Sequence, residues 1–288
     1  WLKCGDTVIL ATVVADESQI VQEDFLPLTV QYIEKSYAAG KIPGGFFKRE
    51  TKPSDFETLT SRIIDRSLRP LFPKDFAYPT QITVLVFSAG EQDDLQRLSL
   101  SAASAALYVS NIDINRSVSA VRVGKVDGEI VINPTLAQLK NSTLDLYLSG
   151  TKDDLLMIEM RSVGGSLDTT HSENAMSEDE LIGTLELAQK ELFSQNSHYE
   201  ESFTPFKKAI TPTIYRQSGV SESTIELVRE NFLEEIKDAI NQMAKSERSL
   251  ALSNLNSKIS SLHTHLDTKE LQSAIEMVKK EQVRSQIL

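Results

Sequence analysis

Short apolar runs dominate the first half of the chain, and long amphipathic runs dominate the second. DTVILATVVA (6–15) is brief and rich in β-branched residues, which predicts a buried strand in preference to a helix. FLPLTVQYIE (25–34) and ITVLVFSA (82–89) predict further strands, separated by the Gly- and Pro-containing loop AAGKIPGG (38–45). LQRLSLSAASAALYVSN (95–111) packs Ala, Ser and Leu closely, as suits a helix lying tight on a sheet. SVSAVRVGKVDGEIVINP (117–134) reads as a hairpin turning at Asp127-Gly128. TLDLYLSG (143–150) and LLMIEMRS (155–162) read as a second hairpin.

The texture changes at VGGSLDTTHSEN (163–174), a polar stretch expected to be a linker. Beyond it the periods are helical. Ser177 and Glu180 stand in capping-box spacing at the start of a helix over 177–195. Apolar residues at 225, 228, 232, 236, 239 and 243 form a stripe over 221–245, and a last helix is expected over 269–288. Pro205 and Pro212 break the segment between the first two of these helices. The expected organisation is an α/β (α+β) domain at 1–163, a linker at 164–176 and an all-α helical domain at 177–288.

Charge changes the picture at one place. The chain carries a formal net charge of -11, yet six of the 22 residues from Lys48 to Arg69 are basic. These are Lys48, Arg49, Lys52, Arg62, Arg66 and Arg69; against Glu50, Asp55, Glu57 and Asp65 they leave this stretch at +2. Overall acidity argues against a general nucleic-acid coat, while a local basic site in acidic surroundings suits a focused anion channel. A solvated helix face with scattered ion pairs fits the charge count equally well.

The stretch divides into two parts. Ser54 and Glu57 form a capping box, so a helix is expected from about Asp55 to about Ser67, ended near Pro70. At about 100° per residue, Arg62, Arg66 and Arg69 fall on one stripe, with Phe56, Leu59 and Ile63 beside it as the expected core face. Such arginines can hold phosphates in bidentate fashion, or pair with carboxylates elsewhere in the fold. Lys48, Arg49 and Lys52 lie instead in a loop behind Phe46 and Phe47. Aromatic faces beside cations grip single strands, by stacking bases and neutralising phosphates; the same phenylalanines could equally plug a hydrophobic gap or a subunit contact.

Other chemistry is sparse. No GxxxxGK[ST], GxGxxG, CxxC or HExxH motif occurs. Cys4 is the single cysteine, so no internal disulfide can form and a reducing, cytoplasmic setting is expected. His171, His198, His263 and His265 are read as structural or surface residues, and Asp93-Asp94 and Asp153-Asp154 as turn residues. No metal site is expected in this chain. No apolar run reaches the roughly 18 residues of a membrane span, and no membrane association is expected. An opening in mid-strand at Trp1, without an initiator Met, suggests a piece of a longer protein.

The motif GGFFKRETKPSDFETLTSRIIDRSLRPLFP (44–73) closely resembles that of the first core domain of the bacterial polynucleotide phosphorylase family. GDTVILATVVA, DFLPLTVQYIEKSYAAGKIP, VGKVDGEIVINPT and LDLYLSGTKDDLLMIEMRS resemble it in the same order. The resemblance implies a ribonuclease PH-like fold, of the ribosomal protein S5 domain 2-like kind, followed by an all-helical domain. It implies a trimeric ring, reversible 3′-to-5′ phosphorolysis of single-stranded RNA to nucleoside diphosphates, magnesium, inorganic phosphate as co-substrate, and partners in RNA-degrading complexes. It places catalysis in a second core domain absent from this sequence, so no catalytic residue is expected here. Phe46, Phe47, Lys48, Arg49, Lys52, Arg62, Arg66 and Arg69 then become expected RNA contacts. Lys48 and Lys52 stand where the family has Arg, Thr51 where it has Gly, and Ser67 where it has Pro. The alternative expectation is a scaffold or oligomerisation module that binds no RNA by itself.

Overall fold

The fold is that of a computed structural model, which describes residues 1–21, 25–44, 46, 50–162, 176–210, 220–242, 244–262 and 266–287. Its strands are β1 (Leu2–Cys4), β2 (Thr7–Ala15), β3 (Leu28–Glu34), β4 (Thr80–Ser88), β5 (Ser119–Val126), β6 (Glu129–Ile132), β7 (Leu144–Gly150) and β8 (Leu155–Ser162). Its helices are α1 (Asp55–Leu68), α2 (Leu95–Tyr108), α3 (Leu136–Lys140), α4 (Glu178–Phe203), α5 (Glu222–Ile240), α6 (Lys245–Leu262) and α7 (Thr268–Ile287). Their contacts group residues 1–216 and 217–288 into two compact units.

In the first unit, β1-β2-β4-β3 form one sheet, with β2 antiparallel and β3 parallel to β4. A second sheet, β6-β5-β7-β8, is antiparallel throughout. Alternation along β5 and β7 divides the apolar residues between two cores. Ala120 and Tyr147 face a core shared with Ile9, Val84, Leu100 and Leu107. Val121, Val123, Leu146 and Leu148 face Ala188 and Leu192 of α4. Helix α2 packs on β2 and on β5, and its small residues permit that closeness: Ser99, Ser101, Ala102, Ala103 and Ser104 are all buried. Ser104 accepts a hydrogen bond from the Val118 amide at 2.8 Å, so one of these hydroxyls also holds the strand that follows.

The expected hairpin turn forms, with φ of 51° at Asp127 and 85° at Gly128. Two successive positive φ values belong to a type I′ turn, which Asp-Gly adopts readily. The domain division differs from the expected one. Helix α4, placed by sequence in the helical domain, covers the second sheet and belongs to the first unit. Its buried Asn196 donates to the Gly150 carbonyl at 3.0 Å and accepts from the Ser117 hydroxyl at 2.9 Å, which fixes the helix to the strands beneath. The expected linker lies outside the described residues except for Met176.

The second unit is a helical trio around Val228, Phe232, Ile236, Leu255, Ile259, Ile275 and Val278. Ser221 caps α5, and its amide and hydroxyl both donate to Glu270 on α7, at 2.8 and 2.7 Å. Position 243 of the expected stripe lies outside the described residues. Helices α3 and α6 had no counterpart in the sequence reading.

Candidate nucleic-acid interface

Helix α1 begins as expected. Ser54 accepts from the Glu57 amide at 3.1 Å, and Glu57 accepts from the Ser54 amide at 2.7 Å, which satisfies two helix-end donors. The other Glu57 oxygen accepts from the Glu34 amide at 2.9 Å, so the cap also docks α1 onto the end of β3. Burial alone would push the Glu57 carboxyl up, but these amide donors and the charge of Lys35 outweigh it and hold the pKa below 4.5.

The buried face of α1 is Thr60, Ile63, Ile64, Ser67 and Leu68. Of the expected core face only Ile63 is buried; Phe56 and Leu59 are 44% and 52% exposed. The sheet below admits hydroxyls at close range, since Ser67 and Ser149 meet at 2.7 Å. Phe56 and Leu59 lie instead on the outer flank, where Phe56 meets the ring of Tyr32 edge-on at 6.1 Å.

The three arginines separate. Arg69 grips Asp65 with two bonds of 3.0 and 2.7 Å and donates to the carbonyls of Leu26 and Leu28. Its guanidinium thus ties the end of α1 to the entry of β3 as a structural clamp, with its side chain 39% exposed. Arg66 pairs with Glu159 at 2.7 Å, both half-exposed, an arrangement that leaves the cation accessible. Arg62 is exposed and forms no ion pair among the described residues. Arg62 and Arg66 line a cleft of about 240 Å³ with Arg161 of β8, over Tyr147 and Asp145.

Within the loop, Phe46 is 93% exposed and Lys52 is exposed. Phe47, Lys48 and Arg49 lie outside the described residues. Lys52 forms no ion pair among the described residues, whereas the neighbouring Glu50 accepts from the amide and hydroxyl of Ser36 at 2.8 Å. The one acidic residue inside this basic loop is thereby turned back to the fold.

Sequence reasoning missed a part-buried charged cluster beside α1. Arg122 of β5 binds Asp145 through two bonds of 2.6 and 2.8 Å and reaches Asp94 at 3.2 Å. Burial would lower the Arg122 pKa, but the hydrogen bonds to Asp145 and the charge of Asp94 raise it instead. Asp94 also caps α2 by accepting from the amides of Gln96 and Arg97. Both carboxylates are therefore committed within the fold. Asp93 accepts from Thr7, and Asp154 pairs with Arg116 at 2.9 Å, so neither adjacent aspartate pair converges on one point. No three His, Cys, Asp or Glu side chains among the described residues are placed to hold a metal ion. His198 sits exposed on α4, bonded to the Ser194 carbonyl; His171, His263 and His265 lie outside the described residues.

Three family models match the chain in sequence order. "3' exoribonuclease family, domain 1" matches residues 1–113 and "domain 2" of that family matches residues 117–191. "Polyribonucleotide nucleotidyltransferase, RNA binding domain" matches residues 223–288. The chain belongs to the polyribonucleotide nucleotidyltransferase family. A relative of that name from Sulfurimonas denitrificans is 61% identical over all of this chain and 43% of its own length. Those from Aliarcobacter butzleri and Campylobacter jejuni strain RM1221 are 50% and 49% identical, over 99% and 100% of this chain and 41% and 42% of their own lengths. The chain therefore spans about two fifths of the curated relatives it matches. The described part is ribonuclease PH-like in its first unit and helical in its second, as the resemblance implied. No helix among the described residues is long and apolar enough to cross a membrane.

Proposed function

We propose that the chain is the strand-guiding part of a phosphorolytic 3′-to-5′ exoribonuclease. In this reading the complete protein cleaves single-stranded RNA with inorganic phosphate, releases nucleoside diphosphates and runs reversibly. It works as a cytoplasmic trimer with magnesium, alongside partners in RNA degradation. The observation that carries the reading is the basic segment before and along α1. It presents Phe46, Lys52, Arg62 and Arg66 to solvent in a chain of net charge -11. Phe46 offers a stacking face, and Lys52 and Arg62 offer charges uncommitted within the described residues. Phe47, Lys48 and Arg49 extend this set in sequence, and Arg69, already engaged by Asp65, is its most committed member.

The chemistry itself is assigned elsewhere in the protein. Within the segment Asp65 is engaged by Arg69; Asp145, which lines the cleft with Arg62 and Arg66, is engaged with Asp94 by Arg122, and this donor set does not fit a magnesium ion. No step is routed through a metal in this chain. What its residues do is orient: cations hold successive phosphates, an aromatic face holds a base, and the acidic remainder keeps the polyanion from binding elsewhere.

The test is RNA binding by the Lys48→Ala, Arg49→Ala, Lys52→Ala triple variant across a salt series. Binding should weaken alike for all sequences, and the slope of log affinity against log salt should flatten by about two, at roughly 0.7 per lost contact on a single strand. An unchanged slope would remove the guiding role. A second reading, scaffold alone, rests on the exposed apolar side chains Val14 and Phe87 of the first sheet, and is separated by sizing the chain with and without single-stranded RNA.

A further inference from the structure

Arginines outnumber carboxylates in the cleft between α1 and β8, and the strand register shows how that arises. Across the β7–β8 pair Asp145 stands opposite Arg161, and Tyr147 opposite Glu159. Side chains directly opposite one another share a face and lie close, so Asp145 is the neighbour placed to neutralise Arg161. It is held instead by Arg122, through two bonds of 2.6 and 2.8 Å. Glu159, the other carboxylate of the cleft, is taken by Arg66 at 2.7 Å. Arg62 and Arg161 are exposed and form no ion pair among the described residues. Counting Asp94, which Arg122 also reaches, four arginines meet three carboxylates and one positive charge is left over. In a chain of net charge -11, a positive surplus gathered in a concave site marks a place for an anion.

Size and donors select the anion. The cleft encloses about 240 Å³, below the roughly 300 Å³ at which pockets begin to hold drug-sized ligands, so one small group enters it. Guanidinium forks match the oxygens of carboxylates and phosphates. A carboxylate spends both oxygens on one fork, as Asp145 does with Arg122. The tetrahedral oxygens of a phosphate can meet both walls, and the surplus of one charge equals that of a phosphodiester. We propose that the cleft binds one phosphate group, held between Arg62 of α1 and Arg161 of β8. The group is either a phosphodiester of an RNA strand or free inorganic phosphate. In the first case Arg161 carries the basic track off α1 and onto β8, beyond the reach of the charged segment 48–69. That case rests on the strand-guiding reading, but its deciding residue, Arg161, is not among those that carry the reading.

The experiment uses the whole chain and two probes. Binding of a labelled single-stranded oligo(A) is followed by anisotropy across a salt series. Binding of inorganic phosphate is followed by the arginine side-chain N–H signals in NMR spectra. Arg161→Ala is compared with the unaltered chain, Arg161→Lys, Lys3→Ala and the triple variant of the basic loop. Lys3 is an exposed cation of β1 and controls for loss of charge alone. For a phosphodiester, Arg161→Ala should weaken oligo(A) roughly 3- to 10-fold and flatten the slope of log affinity against log salt by about 0.7. Arg161→Lys should keep the slope and lose part of the affinity, since the charge remains and the fork does not. For free phosphate, the probe should shift the Arg62 and Arg161 signals, and Arg161→Ala should abolish the Arg62 shift without changing oligo(A) binding. Equal flattening by Lys3→Ala overturns the cleft assignment. So does a folded Arg161→Ala that binds oligo(A) as the unaltered chain does, together with no shift by phosphate. A flatter slope in the loop variant would then still leave strand guiding standing. Strand guiding fails by itself if the loop variant keeps its slope while phosphate still shifts Arg62. Should Arg161→Ala fail to fold, Arg161→Lys and the phosphate response of the unaltered chain still decide.

Discussion

Glu57, Arg69 and Arg62 show how one short stretch of charge serves different ends. Glu57 is buried and ionised, satisfied by amides of Ser54 and Glu34. Its pKa is lowered on folding, so its ionised form stabilises the fold above about pH 4.5. That contribution is lost as pH falls through the folded-state pKa, below 4.5. Glu57→Gln should therefore cost about 1–3 kcal/mol in urea unfolding at pH 7. The difference from the unaltered chain should close as pH falls below 4.5 through the lowered folded-state pKa. A difference that stayed constant as the pH was lowered would show that shape, and not charge, matters at this position. Arg69→Ala should destabilise by about 1–3 kcal/mol, because two carbonyls and Asp65 lose their donors. Arg62→Ala should leave the unfolding midpoint unchanged within error and weaken RNA binding. A reversal of these two phenotypes would undo the assignment of clamp and ligand.

At the scale of elements, legibility followed the strength of the local signal. The α1 cap, the Asp127-Gly128 turn and the two hairpins were legible because each needs particular residues at fixed spacing. The core face of α1 was not, since hydrophobicity favours Phe56 and Leu59 while close approach to the sheet favours Thr60 and Ser67. Helix α6 was missed because Ser and Asn fill it: Ser246, Ser249, Ser253, Asn254, Asn256, Ser257, Ser260 and Ser261 are poor helix formers on their own. Packing of Leu255 and Ile259 into the trio decides its state instead. The Arg122 cluster was illegible because Asp94, Arg122 and Asp145 meet only when β5, β7 and α2 assemble. Gly150 makes the element-scale argument testable. A methyl there would lie 2.5 Å from the Asp154 carbonyl and 3.3 Å from Leu192, so Gly150→Ala should loosen both the β7–β8 turn and the seat of α4. Faster amide exchange at Thr151 and Leu155 would report it; native protection there would contradict the close approach.

The molecule as a whole places its cores in separate units. Ile9, Leu107, Leu146 and Leu192 belong to cores of residues 1–216, while Val228, Ile236 and Ile275 form a core wholly within 217–288. Each core excludes water by its own side chains, so each unit has its own driving force for folding. This partition places α4 with the strands, against a sequence in which α4 looks like the first member of a helical domain. Leu192→Ala and Ile236→Ala separate the two assignments, since both residues are fully buried. Each should cost about 2–5 kcal/mol, but in different units. Calorimetry of the unaltered chain should resolve two transitions, with Leu192→Ala lowering one and Ile236→Ala the other. If both substitutions lowered the same transition and left the other in place, α4 would belong with the helical trio after all.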